Sequence, residues 1–361
     1  MNQVIRIRSI TWAVFCLAVC ISACGMQMPT PGPQGPAGPM GTDGQLRIYG
    51  NGSAGARVVS SNEDWNSPAQ APVNLQFTDL TINAGATLTL PSGMTIRCTG
   101  TFTNNGTVVV RNGADGGFAG QDGPGNDDLA NGPVAPVPGV GTIAAQAGDT
   151  GDSSAARLGG RGGFGISEFE ARQVIVISTT AGGGGAAAGT DSSGSTTDNK
   201  GSDGGGGVRI LAMGAITNAA GATMTADGGE GEGGGGGGGV IIMASMTSVT
   251  NAGTMSADGG NGEAGDTNEG PSGGGGGGII HFLAPMISNS GTATVAGGTA
   301  GAVGPGVAAV TRFGGGGGGA SGGSGGNGGI VPAGATPTPL SATNGGTGFV
   351  LESQLDPTSL F

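Results

Sequence analysis

Histidine and tyrosine occur once each in the 361 residues, tryptophan twice, and Lys200 is the sole lysine. These scarcities close off several function classes. His281, alone of its kind, cannot build a histidine metal cluster, and it is read as a partly buried strand residue standing where neighbouring units carry Ile242 and Ile210. The formal charge is −12, with only 12 lysines and arginines in all, which argues against gripping nucleic acid or anionic headgroups. Beyond the first two dozen residues Trp65 and Tyr49 are the remaining Trp and Tyr, so a carbohydrate cleft built on aromatic platforms would be small and near the N-terminal end. No amphipathic helical periodicity or helix-start signal is read anywhere after the leader.

The leader is residues 1–23. Arg6 and Arg8 precede an apolar stretch from Ile10 to Ile21, too short for the roughly 20 residues a membrane-spanning helix needs. It ends in Ile21-Ser22-Ala23-Cys24-Gly25, which resembles the lipobox of bacterial lipoproteins. The resemblance implies that Cys24 is lipidated and becomes the mature N-terminus. A residue other than Asp at position 25 implies sorting to the outer membrane, on its periplasmic or cell-surface face. Acyl chains contribute about 0.8 kcal/mol per buried methylene, enough for two or three to hold a soluble body on a membrane. Loss of Arg6 and Arg8 takes the net charge from −12 to about −14. Cys16 and Cys20 leave with the leader and Cys24 carries lipid, so Cys98 stands alone and no internal disulfide is expected, although an exported protein could form one.

Residues 24–44 read as a tether. Gly32-Pro33-Gln34, Gly35-Pro36-Ala37, Gly38-Pro39-Met40 and Gly41-Thr42-Asp43 place glycine at every third position, a collagen-like pattern. So few triplets suit a single polyproline II spacer, with a homotrimer seeded by a trimeric head as the alternative.

Glycine is what the chain has in abundance, 86 residues of it, and it falls in a repeated order. A glycine run, an apolar run, Asn and Gly, then a Thr-rich stretch ending in Gly-Gly recurs from Val208 to Gly229, Val240 to Gly260 and Ile279 to Gly298. An earlier copy runs from Met94 through Asn104 and Gly106 to Gly117. Repetition of this kind predicts an all-β fold, a β-solenoid or stacked-strand rod with glycine-rich, polyglycine II-like loops, and argues against a compact enzyme domain. Asn and Gly tolerate the left-handed backbone of tight corners, which accounts for the recurring Asn-x-Gly.

The expected divisions are an N-terminal β segment over residues 45–113, a Pro, Gly and Asp-rich surface insertion over 114–170, glycine-run repeats over 171–330, and a C-terminal linker and capping strand over 331–361. Strands are expected to resume at Val174 to Ile177. The glycine runs opening at Gly182, Gly204, Gly233, Gly273 and Gly314 are spaced by 22, 29, 40 and 41 residues. They read either as flexible linkers or as packed layers of extended strands, and their fixed phase with the following apolar runs favours layers. In this the region from Leu46 to Ile330 resembles glycine-rich bacterial surface proteins and the glycine-rich tip adhesins of phage tails.

Chemical motifs are chance products of this composition. Gly319-Ala320-Ser321-Gly322-Gly323 and Gly322-Gly323-Ser324-Gly325-Gly326 fit G-x-S-x-G without the strand-to-helix turn a nucleophile elbow needs. Gly229 to Gly234 fits G-x-G-x-x-G, but Glu230 and Glu232 would repel phosphate. Asp122, Asp127 and Asp128 lie in a stretch approximating one calcium-binding nonapeptide, and calcium is the one cofactor weighed. The loop acids Asp227, Glu230, Glu232, Asp258, Glu263, Asp266 and Glu269 read as solubilising charge, with a weak calcium edge as the alternative. No catalytic residue is assigned.

The expected function is therefore a lipid-anchored structural or adhesive surface protein with no enzymatic activity. Its partners would be a membrane, through the lipid, and a glycan, protein or other surface. A β-helix polysaccharide lyase or hydrolase is the alternative, with Arg97, Arg111, Arg172 and Arg209 in or beside strands. An ice-binding face built on Thr217, Thr223 and Thr225 is set aside because uneven repeat lengths would spoil a lattice match.

Overall fold

The structure is a computed structural model that describes residues 42–113, 162–175, 182–183, 201–230, 233–265, 270–304, 312–332 and 339–361. The chain divides into residues 1–41 and a body from Thr42 to Phe361, and the described residues all belong to that body.

Strands of the body come in threes. The first circuit is β1 (Arg57–Val59), β2 (Glu63–Asp64) and β3 (Gln76–Phe77), and the second is β4 (Leu80–Ile82), β5 (Thr87–Leu90) and β6 (Met94–Cys98). Next come β7 (Phe102–Asn104), β8 (Thr107–Val110) and β9 (Gly207–Ala212), then β10 (Ile216–Asn218), β11 (Thr223–Thr225) and β12 (Val240–Ser245). The fifth circuit is β13 (Ser248–Asn251), β14 (Thr254–Ser256) and β15 (Ile279–Leu283). The last is β16 (Met286–Asn289) and β17 (Thr292–Thr294), followed by a small antiparallel pair, β18 (Arg312–Phe313) and β19 (Ile330–Val331), and then β20 (Phe349–Ser353). The first members of all circuits form one six-stranded sheet, the second members another and the third members a third, every pairing within them parallel. The fold is all-β, built on three parallel sheets.

Strand patterning explains which faces are covered. In the first and second sheets residues alternate, as in Leu80-Thr81-Ile82 and Thr87-Leu88-Thr89-Leu90, with the apolar member buried and the polar one outward. The inward set forms one core that includes Leu80, Ile82, Leu88, Phe102, Ile210, Met243 and Phe282. The middle strands of the third sheet, β9, β12 and β15, do not alternate. Val240 to Ser245 and Ile279 to Leu283 are buried at every position, as parallel strands covered on both faces must be. Their outer face carries a second apolar cluster, in which Val240, Ile242, Ile279 and Leu283 lie with Ile48, Tyr49, Ile166 and Val174.

That covering layer corrects the expectation of no helix. α1 (Thr42–Tyr49) and α2 (Glu168–Ala171) are short, and α1 lies against β6 and β9. α1 overlaps the end of the stretch read as tether. Its sequence has little helical character, so burial of Ile48 and Tyr49 is what holds it. α2 did carry a signal. Ser167 and Glu170 form a reciprocal capping box, the S-x-x-E pattern of a helix start. The described end of the expected insertion, residues 162–170, is accordingly built into the body. Val174 is buried beneath the same layer but lies in no strand, and residues 176–177 lie outside the described residues.

Buried asparagines lock the circuits together. Asn104, Asn218, Asn251 and Asn289 are register partners at the ends of their strands. Asn104 Nδ2 donates to Asn218 Oδ1 at 2.9 Å, Asn218 Nδ2 to Asn251 Oδ1 at 2.8 Å, and Asn251 Nδ2 to Asn289 Oδ1 at 2.9 Å. Each of the first three also donates to a backbone carbonyl at the start of the next circuit's second-sheet strand, Thr223, Thr254 or Thr292. These asparagines are therefore inward structural ligands of one another rather than left-handed turn residues. The glycines that follow divide into two kinds. Gly85 and Gly221 have φ of +79° and +81° and occupy the third position of four-residue turns, closed by Ala86 N–H on Asn83 O and Ala222 N–H on Ala219 O. Gly106, Gly253 and Gly291 have ordinary φ but sit where an added Cβ would run into the backbone carbonyls of the preceding circuit.

The large differences in repeat length fall at one corner. From the second circuit on, the first-to-second-sheet passage is Asn, two to four residues, then Thr, as in Asn251-Ala252-Gly253-Thr254. From the second sheet to the third the chain instead runs from Thr225 to Val240, from Ser256 to Ile279 and from Thr294 to Phe349. The glycine runs lie in these excursions. Within Gly233 to Gly239, Gly235 and Gly238 donate to Gly273 and Gly276, Gly236 and Gly239 to Gly229 and Ala226, and Gly237 to Gly183. The run from Gly273 to Gly278 does the same, donating in rotation to the runs around Gly315 and Gly318, Thr343 and Gly346, and Gly260 and Ala257. Successive residues thus bond in three directions and every third residue to the same neighbour. At Gly235, Gly238, Gly275 and Gly278 a Cβ would collide with a neighbouring backbone, so the runs are packed layers and not linkers.

His281 lies in the covered face of the third sheet, in register with Ile242, Arg209 and Leu351; Arg209, not Ile210, is its counterpart. Its Nε2 is 2.9 Å from Ser353 Oγ, and Nδ1 has no hydrogen-bond partner among the described residues. Burial, and secondarily Arg172, pushes its pKa down to about 4.

Gly275→Val should lower stability by about 2 kcal/mol or more, because its Cβ meets Gly236 O, whereas Ser61→Val on the exposed surface should shift the thermal melt little. Asn218→Ala strands Asn104 Nδ2, Asn251 Oδ1 and Thr254 O, and is expected to cost roughly 2–4 kcal/mol in denaturant titrations, against under about 1 kcal/mol for Asn289→Ala at the ladder's half-exposed end. Because folding holds His281 neutral, the unfolded chain binds the extra proton. Stability at this group is complete above pH 6.5 and is lost as pH falls toward 4, by roughly 3 kcal/mol in total. Melts of His281→Leu across that interval should show a shallower acid slope than those of the parent.

Candidate functional site

Among the described residues the outward side chains of the first and second sheets are exposed or half-buried apart from Ser256, whereas the covering layer occupies the outer face of the third. On the second sheet alternate residues point outward, and parallel register stacks them into columns. One column is Thr87, Thr107, Thr223, Thr254 and Thr292, an unbroken series through five circuits. The other, two residues along each strand, is Thr89, Val109, Thr225, Ser256 and Thr294. A third column, Thr81, Thr103, Thr217, Thr250 and Ser288, runs up the first sheet. Neighbouring strands lie about 4.8 Å apart, and residues i and i+2 about 6.6 Å apart, so the second-sheet columns form a two-dimensional grid.

The chemistry of the grid is uniform. Every position but Val109 presents a hydroxyl, all but Ser256 a methyl group, and none a charge. The hydroxyls of the first column make no hydrogen bond within the protein among the described residues, and Thr254 and Thr292 are exposed. In the second column Ser256 Oγ donates to Asp227 at 2.8 Å and Thr294 Oγ1 to Asp258 at 3.0 Å, which fixes that edge against the glycine layer. Only Thr217, Thr223 and Thr225 were singled out from sequence. The signal for the rest is Thr-x-Thr, Thr-x-Val or Thr-x-Ser opening one or two residues after the Gly that follows each Asn, legible once the register is known.

The other sequence candidates are placed differently. Cys24, Asp122, Asp127 and Asp128 lie outside the described residues, as do Glu232, Asp266 and Glu269. Asp227 and Asp258 each bridge to the following circuit, accepting from Asp258 N–H at 2.7 Å and Ala296 N–H at 2.6 Å. Burial raises the pKa of Asp227, against the hydrogen bonds from Asp258 N–H and Ser256. Glu230 Oε1 accepts from Asn261 Nδ2 at 2.6 Å. Among the described residues no three His, Cys, Asp or Glu side chains converge to hold a metal ion.

Basic side chains are engaged singly. Arg97 Nε donates to Ile48 O at 3.0 Å, and Arg209 donates to Ile175 O at 2.9 Å with its guanidinium over the Phe361 ring. Arg111 pairs with Asp64 and Arg172 with Glu168. Arg57 binds Glu63 through both carboxylate oxygens, and Glu63 also receives Trp65 Nε1–H at 2.8 Å, closing the first circuit. Trp65 and Tyr49 are both buried, which removes the aromatic platform a small sugar cleft would need. Cys98 is buried too, its thiol pushed up to about 12 chiefly by burial, and it is no nucleophile. Of the two G-x-S-x-G serines, Ser321 is buried in the glycine layer and Ser324 Oγ accepts from Gly165 N–H.

No family model, no curated protein and no solved structure matches this chain.

Proposed function

We propose that the body is a β-solenoid of the parallel β-helix kind, that its glycine excursions form a polyglycine II-like layer, and that it works outside the cell as a structural or adhesive protein. Lipid on Cys24 would hold it at the outer membrane. One observation supports this reading above the others: the large variations in repeat length leave at a single corner, so the outward face of the second sheet continues from the second circuit to the sixth. Such economy suits display of a surface. A β-helix lyase or hydrolase would instead draw acids and arginines to one face, and here Arg97 and Arg209 are spent on backbone carbonyls of the covering layer.

The address is tested on the full-length chain in a bacterial host. Mass spectrometry of protein extracted from membranes is expected to find an acylated N-terminus at Cys24, and Cys24→Ala to leave an unprocessed chain without lipid. An unmodified N-terminus at any other residue would overturn the anchoring.

A further inference from the structure

We propose that the Thr-x-Thr face of the second sheet binds ice. The sequence objection to this reading was the unequal length of the repeats. It disappears in the fold, because the additional residues between Thr225 and Val240, and between Ser256 and Ile279, are taken up in the glycine layer without displacing a single outward threonine.

A crystal of water is recognised by a surface that is itself periodic, uncharged and poor in competing internal hydrogen bonds. From the second circuit to the sixth the two columns are periodic and carry no charge, Asp64 of β2 pairing with Arg111 at the edge of the sheet, and the first column is free of internal hydrogen bonds among the described residues. The first column repeats one side chain through five circuits, from Thr87 to Thr292, with hydroxyls unspent inside the protein. The second column places hydroxyls beside it at Thr89 and Thr225 and a valine of similar shape at Val109, while the hydroxyls of Ser256 and Thr294 are held by Asp227 and Asp258. Grid spacings of about 4.8 Å and 6.6 Å are of the order of the oxygen repeats on the faces of hexagonal ice. Threonine suits the task because its β-branched side chain holds few rotamers on a strand. Hydroxyls can then anchor water in lattice positions while the adjoining methyls exclude water that is out of place.

Rigidity is the second requirement, since a lattice match is lost when rows shift. The Asn104–Asn218–Asn251–Asn289 ladder lies directly before the first column in the chain and bonds Thr223 O, Thr254 O and Thr292 O, the carbonyls of that column's own residues. On the far side Asp227 and Asp258 tether the second column. Crystalline polysaccharide is the competing periodic surface. It is disfavoured because sugars are gripped by exposed aromatic faces and the threonine face offers none; the two residues suited to that role, Trp65 and Tyr49, are buried.

This inference rests on the stacked architecture but not on the lipid, so it survives or fails independently of Cys24. The full-length chain, solubilised in mild detergent, is presented to a slowly growing ice surface beside a detergent-only control protein of similar size. Incorporation well above that control is expected, together with faceted crystal growth. Thr223→Lys, at the centre of the grid, should reduce incorporation several-fold at unchanged circular dichroism, and so should Thr107→Val, a milder change that removes one hydroxyl with little risk to the fold. Val58→Lys, exposed on the first sheet, should leave incorporation as it was. Exclusion of the parent chain from ice overturns the proposal, and so does equal incorporation of parent and Thr223→Lys. Retention on microcrystalline cellulose or chitin that Thr223→Lys abolishes, with no uptake into ice, would overturn it in favour of a glycan surface.

Discussion

Parallel hydrogen bonding between successive circuits sets the terms for everything else in this molecule. A parallel strand contributes only when its partner above is in register, and a slip of one residue would turn Ile216 and Asn218 outward and Thr217 into the core. The asparagine ladder makes that slip costly, since each buried amide would lose a side-chain partner and a carbonyl together. Corner chemistry follows from the same demand. The passage out of each asparagine must be short and close-packed, which is why Gly106, Gly253 and Gly291 cannot carry a Cβ.

Register also explains how so much glycine can be ordered. Fixing a glycine costs roughly 0.5–1 kcal/mol more than fixing an alanine, and a run of seven or so would be prohibitive as an isolated loop. Here the runs at Gly233 and Gly273 lead directly into β12 and β15, strands already held in place, and their amides find carbonyls on three sides. A net gain of about 1 kcal/mol per hydrogen bond is of the size needed to offset the added entropy. Lack of side chains is then a requirement, because the separation that permits backbone-to-backbone bonding on all sides leaves no space for a methyl group.

Much of this was legible in the residues. The strands that open the four copies, at Met94, Val208, Val240 and Ile279, and the phase of the glycine runs before Val240 and Ile279 read correctly, because periodicity survives without knowledge of contacts. Continuous apolar runs such as Val240 to Met243 already contained the news that the third sheet is covered twice. What covers it was harder to see: α1 has no helical pattern and owes its form to the apolar surface beneath, while the Ser167–Glu170 box was overlooked in a chain so poor in helix. The asparagines were noticed for the wrong reason, since a turn and an inward ladder favour the same Asn-x-Gly string. The threonine grid needed the structure, as only the fold reveals that unequal repeats discharge their length at one corner.

Tyr49, at the end of α1, shares a hydrogen bond of 3.1 Å with Thr358, close to the last residue of the chain. Residues 49 and 358 are therefore fastened to each other on the flank of the third sheet. Tension arriving through Thr42 would be borne sideways by β6 and β9 through α1, and by the C-terminal tail, before it could peel β1 from β4. Unzipping strand by strand, the weakest mode for a stack of short parallel strands, is thereby postponed until α1 has been torn free.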